Sequence, residues 1–214
     1  MITISAFKWV PPFAQGVVRD LRVRWALEEA GLPYEARLID AEVQASSEYR
    51  ALQPFGQVPV FEEDGLALFE SGAIVLHIAS RSEVLLPSDE ASRARAVTWL
   101  FAALNSVENR VQQLAELDLF YPDQEWAKLR RPGLEKAVRR RLSELVAWLG
   151  DREYLEDRFT VGDLMMTTVL RILRHTDLLD AEPTLKAYKE RCEARPAFQR
   201  ALAAQMEPFQ RRGT

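Results

Sequence analysis

The residues best placed by type and spacing to do chemistry lie in two stretches, Gln53-Pro54-Phe55-Gly56-Gln57-Val58-Pro59-Val60-Phe61 and, nine residues on, Glu70-Ser71-Gly72-Ala73-Ile74. A proline between a loop and an antiparallel strand often carries a cis peptide bond, which is cheap only before proline. Such a bond turns the N–H and C=O of Val58 outward, where they can pair with an extended peptide as a strand does. Pro59 has no N–H to donate, which suits a strand start at an exposed rim. Ser71 stands where a hairpin turns into a helix and is a good N-cap; a helix N-terminus offers N–H groups and partial positive charge to a carboxylate. Glu70 can receive an ammonium group. A main-chain site, a carboxylate site and an ammonium site together suit a γ-glutamyl tripeptide.

These groups must be carried by elements whose pattern is readable along the chain. Residues 2–7 alternate and are β-rich, a first strand. Residues 17–30 have helical spacing, with Gly31 as the stop. A second strand is expected over 34–39, and strands over 58–62 and 66–69 flank the hairpin signal Glu63-Asp64-Gly65. A short apolar helix over 71–80 completes the order β-α-β-α-β-β-α. Strand signals then stop after Leu86-Pro87-Ser88-Asp89. Long helical patterns cover 91–117 and 132–149, and residues 161–174 are apolar nearly all round, as a buried central helix requires. Shorter helices follow over 184–193 and 197–206, each opened by a proline turn. The expected fold class is α/β plus all-α, with domains 1–82 and 90–214.

The chain has 214 residues, 28 Lys and Arg against 32 Asp and Glu, and a net charge of −4, which argues against a nucleic-acid partner. No run of about 18 apolar residues exists to span a bilayer, and the first residues do not read as a secretion signal. The single cysteine, Cys192, forms no internal disulfide and suits a reducing cytoplasmic setting. His77 reads as a core residue, His175 as a helix-end residue, and two distant histidines with one cysteine make no metal site. Dinucleotide, nucleotide and α/β-hydrolase motifs are absent.

The stretch from Gln53 to Phe61, with Glu70-Ser71, resembles the glutathione-binding motif of the cytosolic glutathione transferase superfamily, whose usual form is N-P-x-G-K/Q-V-P-x-L followed by E-S-x-A-I. Leu27-Glu28-Glu29-Ala30-Gly31-Leu32-Pro33-Tyr34 is similar to the end of that family's first helix. Phe159-Thr160-Val161-Gly162-Asp163 resembles its buried capping box, and Arg195-Pro196-Ala197-Phe198 its last-helix entry. The resemblance implies a thioredoxin-like N-terminal domain and a C-terminal helical bundle. It implies that Val58 and Pro59 hold the cysteinyl backbone of glutathione, Glu70 and Ser71 its γ-glutamyl end, and Gln57 its glycyl side. It further implies a cytoplasmic homodimer acting on a small electrophile, without metal, nucleic acid or membrane.

The chain departs from the family where the thiol must be activated. Lowering the thiol pKa from its ordinary ~8.5 usually falls to a Tyr, Ser or Cys. Here Phe7 stands roughly at the Tyr position and Val17 where Ser or Cys belongs. The loop Lys8 to Gly16 leaves three substitutes: the Arg19 guanidinium, placed first; the Trp9 indole or Gln15 amide; and open N–H groups near Gly16 and Val17. Trp9, Phe13, Asn105, Glu108 and Tyr121 are candidates for the second-substrate pocket, with Asn105 and Glu108 expected on one helix face. An alternative function is a non-catalytic binding module of the same fold.

Overall fold

The computed structural model describes residues 1–210, which form two compact units: Met1–Leu86 with the chain from Arg195 onward, and Pro87–Ala194. The first unit opens with β1 (Ile2–Phe7), α1 (Asp20–Ala30), β2 (Tyr34–Ile39), α2 (Ala41–Ala45), α3 (Ser47–Leu52), β3 (Phe61–Glu63), β4 (Leu66–Leu68) and α4 (Ser71–Ala79). The strands lie in the order β2-β1-β3-β4, with β2 parallel to β1 and the other pairs antiparallel. This is a thioredoxin-like sheet. The helix expected between the second and third strands is divided at Ser46, whose hydroxyl accepts the Tyr49 N–H and starts a new helix.

Two boundaries differ from the sequence expectation. β3 begins at Phe61 rather than at 58, because Pro59 has no N–H to give a ladder. α1 begins at Asp20 rather than at 17. The preceding residues form tight turns, with the Ala14 N–H on Pro11 O at 2.8 Å and the Val17 N–H on Ala14 O at 3.1 Å.

The second unit holds α5 (Glu90–Ala102), a π-helical turn (Ala103–Glu108), α6 (Asn109–Phe120), α7 (Glu125–Leu149), α8 (Val161–Leu170) running into a 3-10 turn (Arg171–His175), and α9 (Pro183–Glu193). Every residue of α8 is buried, as its all-round apolar pattern predicts. A Cβ on Gly162 would meet Trp99 Cβ at 2.5 Å, so only glycine lets α5 come this close to α8. α7 starts at Glu125, ahead of the expected 132, and encloses Pro132. Arg131 braces that turn through Asp118 at 2.7 Å and Glu135 at 2.5 Å.

The described residues end with α10 (Pro196–Gln210). The expected division, 1–82 and 90–214, follows secondary-structure type. Packing instead gathers residues from Arg195 onward with the first unit, because α10 lies along α1. Its rungs run from the end of α1 to its start. Arg195 grips Glu29 at 2.6 and 2.8 Å, Phe198 meets the Trp25 ring edge-on at 4.8 Å, and Arg200 pairs with Glu28 at 2.6 Å. Trp25 is fully buried in this contact. Truncating such a ring to alanine costs roughly 3–5 kcal/mol.

Candidate functional site

The Val58–Pro59 peptide is cis. A relay of hydrogen bonds fixes the main chain on both sides of it. The Val60 N–H donates to Ser5 Oγ at 2.7 Å, Ser5 Oγ lies 2.8 Å from the Tyr49 hydroxyl, and Tyr49 donates to Gln57 O at 2.7 Å. The Tyr49 hydroxyl is spent on Gln57, so the Ser5 O–H must donate to Tyr49, and the relay runs in one direction. Ser5 N–H also donates to Val60 O at 2.8 Å, which ties the segment to β1. Burial pushes the Tyr49 phenol up, and the Ser5 bond pulls it back. Val58 itself packs in a cluster with Ile39, Tyr49 and Val60, with Phe7 and Val18 against it. Among the described residues, neither its N–H nor its C=O pairs with another main-chain group.

The approach to this bend is a turn that needs glycine. Gly56 has φ +62°, donates its N–H to Gln53 O at 2.9 Å, and accepts Gln44 Nε2 at 2.6 Å. The register Phe61↔Leu68 brings Val58 and Glu70 to the same end of the β3–β4 hairpin, and the rings of Phe55 and Phe69 meet across that end at 6.2 Å. Gln57 is exposed there.

At the start of α4 the expectation needs correction. Ser71 is not the N-cap; it is the first helical residue, and Glu70 takes the cap position with no side-chain cap bond. Ser71 is buried, and its hydroxyl accepts Arg22 Nη1 at 3.2 Å. Its O–H is thereby left to donate, with a buried guanidinium behind it. Glu70 is exposed and holds φ +68°, ψ +110°, a conformation costing about 1–3 kcal/mol for a residue with a Cβ. Strain of this kind persists where the surrounding structure enforces it.

The loop of residues 8–19 starts where β1 passes Val58. Trp9 and Phe13 are both exposed, 46% and 38%. Trp9 lines a 330 Å³ cavity with Phe7, Lys8, Val10, Ile39, Asp40, Ala41 and Gln44, and the Lys8–Asp40 ion pair spans 2.6 Å there. Gln15 is turned into its own loop, its amide donating to Val10 O at 3.1 Å. The Val17 N–H is occupied by Ala14 O, whereas the Val18 N–H has no hydrogen-bond partner among the described residues. Arg19 is half-buried at the cap position of α1.

In the second unit, Asn105 and Glu108 belong to the π-helical turn, and they do not share an exposed face: Asn105 is exposed and Glu108 is buried. The wider π turn removes the three-residue spacing that would align them on an α-helix. Tyr121 is exposed, and its ring meets that of Trp126 at a tilt, 5.2 Å between centroids. Asp163 closes the start of α8: it accepts the N–H groups of Leu155 and Thr160 at 2.9 Å each, the Thr160 hydroxyl at 3.2 Å and the Tyr188 hydroxyl at 2.9 Å. Burial pushes its carboxyl up to about 6 against the pull of these four bonds. Among the described residues no group of three or more His, Cys, Asp or Glu is placed to hold a metal ion.

Ser5, Tyr49 and Arg22 were not singled out by sequence reasoning. Arg22 left one usable signal, a charge on a helix whose neighbouring positions Leu21, Val23 and Trp25 are all core residues. The Ser5–Tyr49 bond joins residues 44 apart, and nothing local announces it.

A thioredoxin-like sheet with an open main-chain edge beside a cis proline, flanked by a helix start, is an architecture that can take an extended peptide as an added strand. Residues 14–80 match the family described as Glutathione S-transferase, N-terminal domain, and residues 120–196 match Glutathione S-transferase, C-terminal domain. Glutathione S-transferase 3 of Zea mays is 33% identical over 211 residues, 90% of this chain and 91% of its own length. A solved glutathione transferase family member from Pseudomonas fluorescens pf-5, with two glutathione bound, is 26% identical with a TM-score of 0.82, covering 94% of this chain and 92% of that one. The nitrogen regulation fragment of the yeast prion protein Ure2p shares the fold at 21% identity and a TM-score of 0.78, covering 94% of this chain and 97% of that one. The chain belongs to the glutathione transferase superfamily.

Proposed function

We propose that the protein binds glutathione and transfers its sulfur to an electrophilic small molecule. The observation that carries this reading is the unpaired main chain of Val58 at the same hairpin end as Glu70 and Ser71. In this reading Val58, beside Pro59, pairs with the cysteinyl unit, and Ser71, backed by Arg22, donates to the γ-glutamyl carboxylate. Glu70 takes the γ-glutamyl ammonium, and Gln57 reaches the glycyl side. The sulfur faces the start of α1, where the Val18 N–H, the helix dipole and the Arg19 guanidinium all favour thiolate over thiol. The thiol proton leaves to solvent. The thiolate electron pair then forms a C–S bond to the electrophilic carbon, whose leaving group departs with the displaced pair. Trp9 and Phe13, exposed aromatics on the adjoining loop, are assigned to the electrophile.

We further infer a homodimer working in the cytoplasm, which light scattering and fractionation test. No helix among the described residues is long and apolar enough to cross a membrane. The second reading is a non-catalytic binding module. It draws on Phe7 and Val17 standing where the family carries Tyr, Ser or Cys, and on the structural kinship with the Ure2p fragment. Calorimetric titration with glutathione, followed by turnover of an activated aryl halide, separates the two. Heat of binding with turnover supports the transferase; binding without turnover favours the module; no heat and no thermal shift at millimolar glutathione sinks both as glutathione proteins.

A further inference from the structure

The structure assigns a role to Gln205, a residue in the last helix and far in sequence from every candidate site residue. We propose that Gln205 is a positioning residue that holds the start of α1 in register with the glutathione sulfur. The proposal rests on the glutathione reading above and adds the device that keeps its thiol-facing segment in place.

Gln205 is 2% exposed, and both hydrogens of its amide are used. Nε2 donates to Val18 O at 3.1 Å and to Asp20 Oδ1 at 2.6 Å. Its Oε1 is buried without a partner, so the side chain is committed as a donor toward α1. Both acceptors belong to the turn that begins α1. Asp20 is itself fully buried and bound to Arg24 at 2.8 Å, so it gives the amide a fixed anchor. Val18 is the residue whose N–H is open and whose side chain packs on the cluster containing Val58. Pinning the Val18 carbonyl therefore orients the residue that offers its N–H beside Val58.

Within α1 that carbonyl is tied only to the helix's own first turn, the Leu21 N–H donating to Val18 O at 3.0 Å, so Gln205 is the tie that comes from outside α1. Arg19, at the cap position, makes no side-chain cap bond, and the preceding residues are turns rather than helix. The other rungs of the α10 clasp, Arg195–Glu29 and Arg200–Glu28, sit at the opposite end of α1. Gln205 is the rung at the chemical end.

Gln205→Met keeps the length and packing of the side chain and removes both donors. In the full-length protein saturated with glutathione, the ultraviolet thiolate titration should shift up by about one unit, and kcat at neutral pH should fall about tenfold. The KM for glutathione should change by no more than about threefold, because Val58, Glu70 and Ser71 are untouched. Arg200→Ala, which cuts a half-exposed rung at the other end, should leave the thiol titration where it was. An unchanged titration in Gln205→Met, or an equal shift in Arg200→Ala, overturns the proposal. If Gln205→Met does not fold, Gln205→Asn retracts the donors by one methylene and must raise the thiol pKa; no rise overturns the proposal. A wild-type protein that binds no glutathione defeats the parent reading instead, which separates the two failures.

Discussion

Two helix starts in this protein are built in opposite ways. At the start of α8, Thr160 and Asp163 close the helix from within, and the Asp163 carboxylate takes four donors. At the start of α4, Glu70 makes no cap bond, holds a positive φ, and leaves Ser71 turned toward Arg22. A helix start that only supports a fold consumes its own donors. One that binds a ligand leaves them unspent and tolerates strain to do so. The contrast supports the glutathione site proposed at α4 without reference to any relative.

The largest effect that can break the comparison is expected at α8. Asp163→Ala should cost about 3–5 kcal/mol in urea unfolding, because it strands several buried donors, with glutathione affinity of the folded protein unchanged. A loss of affinity alone would reverse the assignment.

The next test is pH. The folded Asp163 carboxyl titrates at about 6 against an ordinary 3.8, so between those values the folded state holds a proton that the unfolded chain has lost. Stability from this group is therefore fully present below the unfolded value and declines as pH rises toward 6, by at most roughly 3 kcal/mol. Unfolding at pH 4.5 and 7 should show that decline, and Asp163→Asn should flatten it; an unaltered slope would show that another group is responsible.

At α4 the weights invert. Ser71→Ala or Arg22→Met should weaken glutathione binding by about 2 kcal/mol, roughly thirtyfold by calorimetry, with Ser71→Ala costing only about 1 kcal/mol of stability for the one Arg22 donor it leaves. Equal affinities would refute the carboxylate site. The smallest expected effect is the most discriminating. Glu70→Gly should raise stability by about 1 kcal/mol by relieving the positive φ, while lowering glutathione affinity. A variant that loses stability instead would mean the carboxylate serves the fold.

The sequence made these two starts legible to different degrees. Thr160-Val161-Gly162-Asp163 declares its capping box, because both partners lie within four residues and the pattern is local. Gln53 to Phe61 likewise shows its bend, since proline and glycine act on their own backbone. Ser71 has the residue type of a cap, but the helix starts on it and the cap position falls one residue earlier, on Glu70, a residue type that does not announce a cap. The relay through Ser5 and Tyr49 and the clasp of Gln205 join residues 44 and up to 187 apart, and no local preference encodes them. The π turn at Ala103–Glu108 escaped for the same reason: its amphipathic spacing is that of the α-helices on either side.

The return of α10 to α1 has a consequence for the order in which the molecule can be made. The Trp25 ring meets Phe198, and Glu28 and Glu29 meet Arg200 and Arg195, only once α10 is in place. A ribosome delivers the helices of Pro87–Ala194 before it delivers Phe198. Until α10 emerges, one flank of α1 stays bare to chaperones and to water.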